Sequence, residues 1–298
     1  MNISKLYYSI LNKPFFIDMR RIEERATLID ALLTHKMAAD FEEKGKLEAK
    51  VAASGGTAVS GTFDKAPEDS VAVIPLVGDM LKYDTFCAYG TESIAALMRE
   101  AADSDRITGI VLSIDSGGGA VDAVPPMLQA IDYARASGKS VVASCDLCAS
   151  AAYYVACHCD EIVADNDISS EFGSIGVMVQ FRDYAKYYEK EGIKTHTIYS
   201  NLSDYKNAPF EAALKGDYKA IKKEMLDPMA RKFQEAVKSH RPDLKTDTEG
   251  ILSGRMFYAQ SAVEVGLIDK VGTFDTAVAD ARRLSADIKL KAYTGSMK

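Results

Sequence analysis

The chain has 298 residues, of which 47% are hydrophobic and 27% are charged, so it can bury a sizeable core. Its formal net charge of −7 argues against binding to nucleic acid, which usually requires a basic face. The sequence shows no apolar run long enough for a membrane anchor and no signal peptide, and its five cysteines do not indicate a disulfide framework; we therefore expect a cytoplasmic protein.

The first part of the chain, residues 1–65, is predicted to be a helical extension followed by a linker. Residues 18–50 are charged with apolar residues at helical spacing, and residues 53–70 are small, polar and rich in glycine. The main folded domain is expected over residues 66–286, and a flexible polar tail over 287–298.

Strands and helices alternate through the domain, which predicts an α/β fold with a mostly parallel sheet flanked by helices. Strands are predicted at 71–78, 107–115, 140–145, 161–165 and 194–200. Helices are predicted at 92–104, 123–137, 151–157, 181–192, 211–240, 259–266 and 274–284.

The stretch CDLCASAAYYVACHCDE, residues 145–161, raises three alternatives: a zinc site, a redox pair, or a strand-to-helix elbow. Its cysteines and histidine are residue types that zinc accepts. The gap ASAAYYVA, however, is small, apolar or aromatic and predicts a buried helical turn. On such a helix Cys157 and Cys159 would lie about 200° apart and could not hold one ion. We favour small buried hydrophobic side chains and expect no metal.

Ser150 lies where the strand SVVASC passes through a turn into the helix AAYYVA. A serine at the carboxyl end of a parallel strand is exposed to substrate, with the N–H groups of a helix start behind it, which suits a nucleophile. Serine also caps helices routinely, and this alternative stays open.

A glycine-rich loop, SIDSGGGAVDA, follows another buried strand at residues 113–123. Its glycines let backbone N–H groups approach a ligand closely. The phosphate-binding patterns G-x-G-x-x-G and GK[ST] are absent, so an oxyanion hole or a simple tight turn are the alternatives.

A serine nucleophile needs a base, and no histidine is well placed for that role. The four are His35, His158, His196 and His240, and none has an evident carboxylate to orient it. A neutral lysine can serve instead. Lys206, in the loop NLSDYKNAPF, is the candidate, although most lysines are simply solvated.

Five motifs in chain order give these pieces a resemblance to a known family. They are IDSGGG (family pattern D-S-P-G-G), SAAYYVA (S-G-G-Y-Y-[IV]-A), FGSIGV (T-G-S-I-G-V), YKNAPF (Y-K-x-A-x-x-P-F) and GRMFYAQSAVEVGLID. The chain resembles the signal peptide peptidase A (protease IV) family of Ser–Lys serine peptidases, including its tailed-phage head-maturation branch.

The resemblance implies a role for each matching residue. Ser150 would be the nucleophile, Lys206 the general base, and Ser174 the residue that orients the lysine. The N–H groups of Gly119 and Ala151 would form the oxyanion hole. The implied fold is the crotonase/Clp-type superhelix of ββα units, without a cofactor. Homo-oligomeric rings are implied as well, and in some members neighbouring subunits complete the dyad.

The sequence departs from the family pattern at two places. Ala151 and Ala152 replace the usual elbow glycines, although alanine keeps the N–H that an oxyanion donor needs. Gly117 replaces the usual proline and loosens the oxyanion loop, leaving Gly118 and Gly119 in place.

The opening ILNKPFFIDMRRIEERATLIDALL and the stretch from GSIGV onward resemble the phage branch. We therefore expect a phage or prophage protease acting on protein substrates such as capsid scaffold. The alternatives are a soluble bacterial peptidase that degrades signal peptides, a crotonase-like acyl-CoA enzyme with a carboxylate base, and a non-catalytic assembly scaffold.

Overall fold

The computed structural model describes residues 15–17, 47, 50–53, 59–85, 88–181 and 183–295. The predicted helix within residues 18–50 lies almost wholly outside these described residues.

The described residues form one large sheet and one two-stranded sheet. The strands are β1 Phe15–Ile17, β2 Lys50–Ala52, β3 Val59–Ser60, β4 Ser70–Val77, β5 Ile107–Ser116, β6 Gly118–Ala120, β7 Val141–Ala149, β8 Glu161–Ala164, β9 Glu171–Gly173, β10 Met256–Tyr258 and β11 Lys270–Val271. The large sheet has the order β10-β9-β7-β5-β4-β2-β3, with β8 paired to β7 and β11 to β8. Its central strands β4, β5 and β7 are parallel, as are β8, β9 and β11, whereas β2, β3 and β10 are antiparallel additions. β1 and β6 form the separate antiparallel pair.

Helices connect and cover these strands. They are α1 Thr91–Asp103, α2 Val124–Ala136, α3 Ala151–Ala156, α4 Ala185–Lys190, α5 Ala208–Leu214, α6 Lys219–Ile221, α7 Asp227–His240, α8 Ala259–Glu264 and α9 Phe274–Gly295. Prolines occupy the first positions of α2, where their missing N–H has no helical acceptor to lose. Among these described helices, none is both long enough and apolar enough to cross a membrane.

Both faces of the central strands are buried. Val73, Val111, Val142 and Val163 face one side, where they pack with Ala281 of α9. The alternating residues of the same strands belong to the larger core, together with buried residues of α1, α2 and α3. A parallel sheet covered on both faces explains why these strands read as continuous apolar runs. The predicted fold class, a mostly parallel sheet flanked by helices, is confirmed.

The predicted strand at 194–200 is wrong. These residues follow an irregular path, and none pairs with a strand in the described part of the chain. Ile198 within this stretch is 91% exposed. Alternating sequence alone does not make a strand here, because no strand among the described residues supplies hydrogen bonds and the apolar side chain of Ile198 is not covered.

The predicted long helix over 211–240 is broken. α5 ends at Leu214, and Gly216 adopts a φ of 87°, a left-handed conformation that terminates helices. The chain becomes helical again at Lys219 and passes through a π-helical turn, Lys222–Leu226, before α7. Pro228 lacks the N–H of a regular helix, which fits this irregular turn.

The carboxyl-terminal helix is longer than the sequence suggests. α9 continues to Gly295, through most of the segment 287–298 that is predicted as a flexible tail. Its first part is held by packing on the sheet, and the later residues extend the same helical hydrogen bonds.

Candidate active site

Ser150 forms a sharp elbow between β7 and α3. Its backbone has φ 55° and ψ −117°, a combination that is strained for a residue other than glycine. Its N–H donates to the carbonyl of Gly173 at 2.9 Å, and its carbonyl accepts the N–H of Tyr154 at 2.8 Å. The surrounding strands and helix therefore hold the strained conformation in place, as they do in the nucleophile elbows of α/β-hydrolases.

The side chain of Ser150 has no structural task in the described part of the chain. It makes no capping hydrogen bond to α3, so the helix-cap alternative is wrong. The residue is 1% exposed, and its Oγ is buried without a hydrogen-bond partner. A buried unpaired hydroxyl costs free energy, which points to a role that needs the hydroxyl itself.

The glycine loop lies beside this elbow because β5 and β7 are neighbouring parallel strands that end at the same edge. The Ser116 hydroxyl donates to the Gly78 carbonyl at 2.5 Å and accepts the Gly118 N–H at 3.1 Å. A Cβ on Gly119 would lie 2.0 Å from the Met80 carbonyl oxygen, so this position admits no side chain. The loop is therefore built by close backbone contacts, as an oxyanion hole requires.

The predicted oxyanion donors Gly119 and Ala151 are brought to the same region, since α3 contacts β6. Ala151 is the first residue of α3, and its N–H has no acceptor within the helix. Ala151 and Ala152 are both fully buried, so the methyl groups that replace the usual glycine hydrogens fit inside the core.

Ser174 also joins this region. It directly follows Gly173, whose carbonyl accepts the Ser150 N–H. Its own N–H donates to the Arg255 carbonyl at 3.0 Å, and its φ of 53° is a second strained backbone position. One hydrogen bond and one peptide unit thus connect the backbone of Ser174 to that of Ser150.

Lys206 is not joined to this group within one chain. It lies in an exposed turn in which its N–H donates to the Ser203 carbonyl at 3.1 Å, and Asn207 with φ 62° then begins α5. Because the Ser150 Oγ has no hydrogen-bond partner in the described residues, the predicted Ser–Lys contact is not formed there.

The structure adds supporting contacts that sequence reasoning missed. The Tyr153 hydroxyl of α3 donates to the Leu267 carbonyl at 2.7 Å, deep in the core. Asp269 accepts the Ile162 N–H at 2.7 Å and forms an ion pair with Arg241 at 2.9 Å. The motif ending in GLID therefore braces the helix behind Ser150; the family resemblance included this motif, but no local pattern indicated its contact with Tyr153.

The four cysteines in the stretch at residues 145–161 are free, buried thiols. Cys145 and Cys148 lie on β7, whereas Cys157 and Cys159 lie in the turn after α3 rather than on the helix. The described residues contain no group of three or more histidines, cysteines or carboxylates that could hold a metal ion. Burial raises the pKa of the Cys145, Cys157 and Cys159 thiols.

All four thiols should resist alkylation in the native protein, because their burial makes the sulfur inaccessible to the reagent. Mass spectrometry after iodoacetamide treatment should show modification of Cys145, Cys148, Cys157 and Cys159 at least about 100-fold slower than after unfolding in guanidinium. A Ser239→Cys variant, which places a thiol on an exposed position, is the control and should react rapidly. Rapid native labelling of the four would contradict their burial.

His158 is packed at the far end of α3. Its Nδ1 lies 2.8 Å from the Tyr154 carbonyl, and its ring lies 4.0 Å from that of His240. Burial, aided by the charges of His240 and Arg135 and opposed by the hydrogen bond to the Tyr154 carbonyl and by Asp132, holds the pKa of His158 below its ordinary value.

Stability should therefore fall as the pH drops below about 6.5, because the unfolded chain binds a proton that folded His158 resists. The melting temperature of the wild type should decrease between about pH 7.5 and about pH 5.5, and His158→Gln should reduce this decrease. His196→Gln, which changes an exposed histidine, should behave as the wild type. Equal pH dependence of all three proteins would exclude His158 as the cause.

An apolar groove of about 330 Å³ begins where β6 ends. Its apolar lining includes Val121, Val124 and Leu128, together with Tyr154 of α3 and Met229 of α7. The groove therefore offers an apolar surface next to the end of the glycine loop, since Val121 directly follows β6.

The chain is similar in sequence to one protein family and to several individual proteins. The profile described as Peptidase family S49 matches residues 133–289, which is 157 of the 298 residues. Protease 4 of Haemophilus influenzae is 26% identical over 65% of this chain and 31% of that protein. The chloroplastic serine protease SPPA of Arabidopsis thaliana is 31% identical over 64% of this chain and 28% of that protein. The head-tail preconnector protein GP5 of Enterobacteria phage P21 is 27% identical over 74% of this chain and 44% of that protein.

The chain thus spans less than half the length of these three relatives. Among solved structures, the 1510-N membrane-bound stomatin-specific protease is 17% identical with a TM-score of 0.45, covering 72% of this chain and 80% of that one. An enoyl-CoA hydratase/carnithine racemase from Magnetospirillum magneticum is 16% identical with a TM-score of 0.42, covering 77% and 78%.

Proposed function

Because the chain belongs to peptidase family S49, we propose that it is a serine endopeptidase in which Ser150 and Lys206 form the catalytic dyad. The observation that carries this proposal is the strained elbow at Ser150, whose buried Oγ is unpaired beside the glycine loop. A hydroxyl in that position can attack a carbonyl, and the adjacent backbone N–H groups can bind the resulting oxyanion.

The reaction would proceed through an acyl-enzyme. The neutral Lys206 amine takes the Ser150 proton as Oγ bonds to the substrate carbonyl carbon. The N–H groups of Gly119 and Ala151 stabilise the tetrahedral oxyanion. Its collapse breaks the C–N bond and returns the proton to the leaving amine. Water, deprotonated by the same lysine, then releases the acyl group and regenerates Ser150.

A neighbouring copy of the chain would supply the lysine. Lys206 is exposed, and the Ser150 Oγ has no partner within its own described residues. Exposed positions become buried when copies assemble, and a lysine that is desolvated in this way is easier to keep neutral. Ser174, fixed next to the elbow, would then accept or donate a hydrogen bond that orients the incoming amine.

The groove beyond β6 would select apolar substrate side chains. Val121, Leu128 and Met229 offer no hydrogen-bonding side chain, so burying an aliphatic or aromatic group there releases ordered water at little cost. Asp132 and Lys232 lie at the same groove and would contact more polar neighbours.

Incubation of the protein with a peptide library, with the products identified by mass spectrometry, tests this function and defines its specificity. We expect discrete internal cleavages and a fluorophosphonate adduct on Ser150. An acyl-CoA enzyme of crotonase type would use neither Ser150 nor Lys206, and would give neither peptide cleavage nor an adduct on Ser150. A non-catalytic scaffold would also leave the library intact.

The biological role we favour is proteolysis during phage or prophage head assembly. The similarity to the phage P21 head-tail preconnector protein supports this reading over a soluble peptidase that degrades signal peptides. Co-expression with capsid and scaffold proteins encoded by neighbouring genes should give shortened products that are absent with Ser150→Ala. Neighbouring genes without portal or capsid functions would favour the signal-peptide alternative.

A further inference from the structure

The glycine strand β6 has two edges, and one of them is filled by Met80. The Met80 N–H donates to the Gly118 carbonyl at 3.0 Å, and the Ala120 N–H donates to the Met80 carbonyl at 2.8 Å. Backbone groups of successive residues in a strand point to alternate edges. The N–H and carbonyl of Gly119 therefore face the outer edge of β6, away from Met80.

This outer edge is where β1 pairs. The register places Phe16 directly opposite Gly119, with Phe15 opposite Ala120 and Ile17 opposite Gly118. In an antiparallel pair, the residue opposite Gly119 directs its own N–H and carbonyl toward Gly119, whereas its two neighbours direct theirs away. The backbone of Phe16 therefore lies against the N–H of Gly119, which is the proposed oxyanion donor.

One further observation places β1 at the candidate active site. β1 contacts α3, the helix that begins immediately after Ser150. In this same conformation Ser150 is only 1% exposed, although a nucleophile must be reached by its substrate.

We propose that residues 15–17 occupy the outer edge of β6 as a built-in competitor of the substrate strand. An open strand edge recruits peptides through backbone hydrogen bonds, and it pairs with one strand at a time. A substrate must therefore displace β1 before its carbonyl can reach Gly119 and Ser150. This inference rests on the proposed peptidase function.

Two proline variants of the full chain separate this pairing from other effects. Phe16→Pro removes the N–H that faces Gly119, and a proline ring in that position also blocks strand pairing. Ile17→Pro is the matched control, because it removes an N–H directed away from β6 and favours an extended residue 16. The rate of fluorophosphonate attachment to Ser150, followed by mass spectrometry, should increase at least about fivefold in Phe16→Pro and stay at the wild-type value in Ile17→Pro.

A synthetic peptide with the sequence NKPFFIDM, residues 12–19, provides an independent measurement. Added to the Phe16→Pro protein, it should slow the labelling of Ser150 toward the wild-type rate. The same peptide with proline in place of the second phenylalanine should have no effect. Thermal melting of both protein variants checks that the domain stays folded.

Each outcome decides between the two proposals. Equal labelling of Ser150 in wild type and both variants, with no effect of the peptide, would overturn the competitor role and leave the peptidase function intact. An absence of any adduct on Ser150, in the variants as in the wild type, would overturn the peptidase function and this inference with it.

Discussion

Ser150→Ala should lower kcat for peptide hydrolysis by at least about 10⁴-fold, because it removes the atom that forms the acyl-enzyme. KM should change little, since the methyl group of alanine leaves the glycine loop and the groove in place. Activity measured with a fluorogenic peptide chosen from the library results gives both parameters.

The fold should survive this substitution. The Ser150 Oγ has no hydrogen-bond partner to lose in the described part of the chain, so the free energy of unfolding should change by less than about 1 kcal/mol. Ser144→Ala, which truncates another buried serine on the same strand β7, is the control and should retain wild-type kcat. Residual activity above a few per cent in Ser150→Ala would exclude Ser150 as the nucleophile.

Lys206→Met should lower kcat by about 10²- to 10⁴-fold, the usual contribution of a general base. Methionine keeps the length and apolar stem of the side chain and removes only the amine. Lys215→Met, which changes another exposed lysine just after α5, is the control and should leave kcat unchanged.

Co-expression of Ser150→Ala and Lys206→Met chains tests whether neighbouring copies share the site. In mixed assemblies, roughly a quarter of the interfaces would pair an intact Ser150 with an intact Lys206 from the next chain, so activity should return to roughly that fraction. If both single variants are inactive and their mixture stays inactive, the dyad is not shared between copies.

The sequence by itself determined the local features around the candidate nucleophile. The small residues of the elbow and the prolines at the start of α2 predict α3 and α2 at nearly their observed bounds, whereas β7 continues to Ala149, four residues beyond its predicted end. The two helix predictions succeed because their local patterns are bounded by residues with few allowed conformations. The glycine loop is also indicated by the local sequence, and the structure explains it because only glycine fits at position 119 against the backbone of Met80.

Tertiary contacts decided the rest. Residues 194–200 alternate like a strand but find no partner in the described chain, and the region 211–240 reads as one helix until Gly216 turns left-handed. The pairing of Phe16 with Gly119 joins segments about one hundred residues apart, and no local pattern encodes such a register. The same limit applies to the proposed base: the sequence places Lys206 in a loop, but only the packing shows that it is exposed, while Ser150 is buried and its Oγ has no hydrogen-bond partner among the described residues. The sequence determined which chemical groups this chain carries. The tertiary structure decided which of them lie in contact, because such contacts depend on long-range packing that neighbouring residues cannot specify.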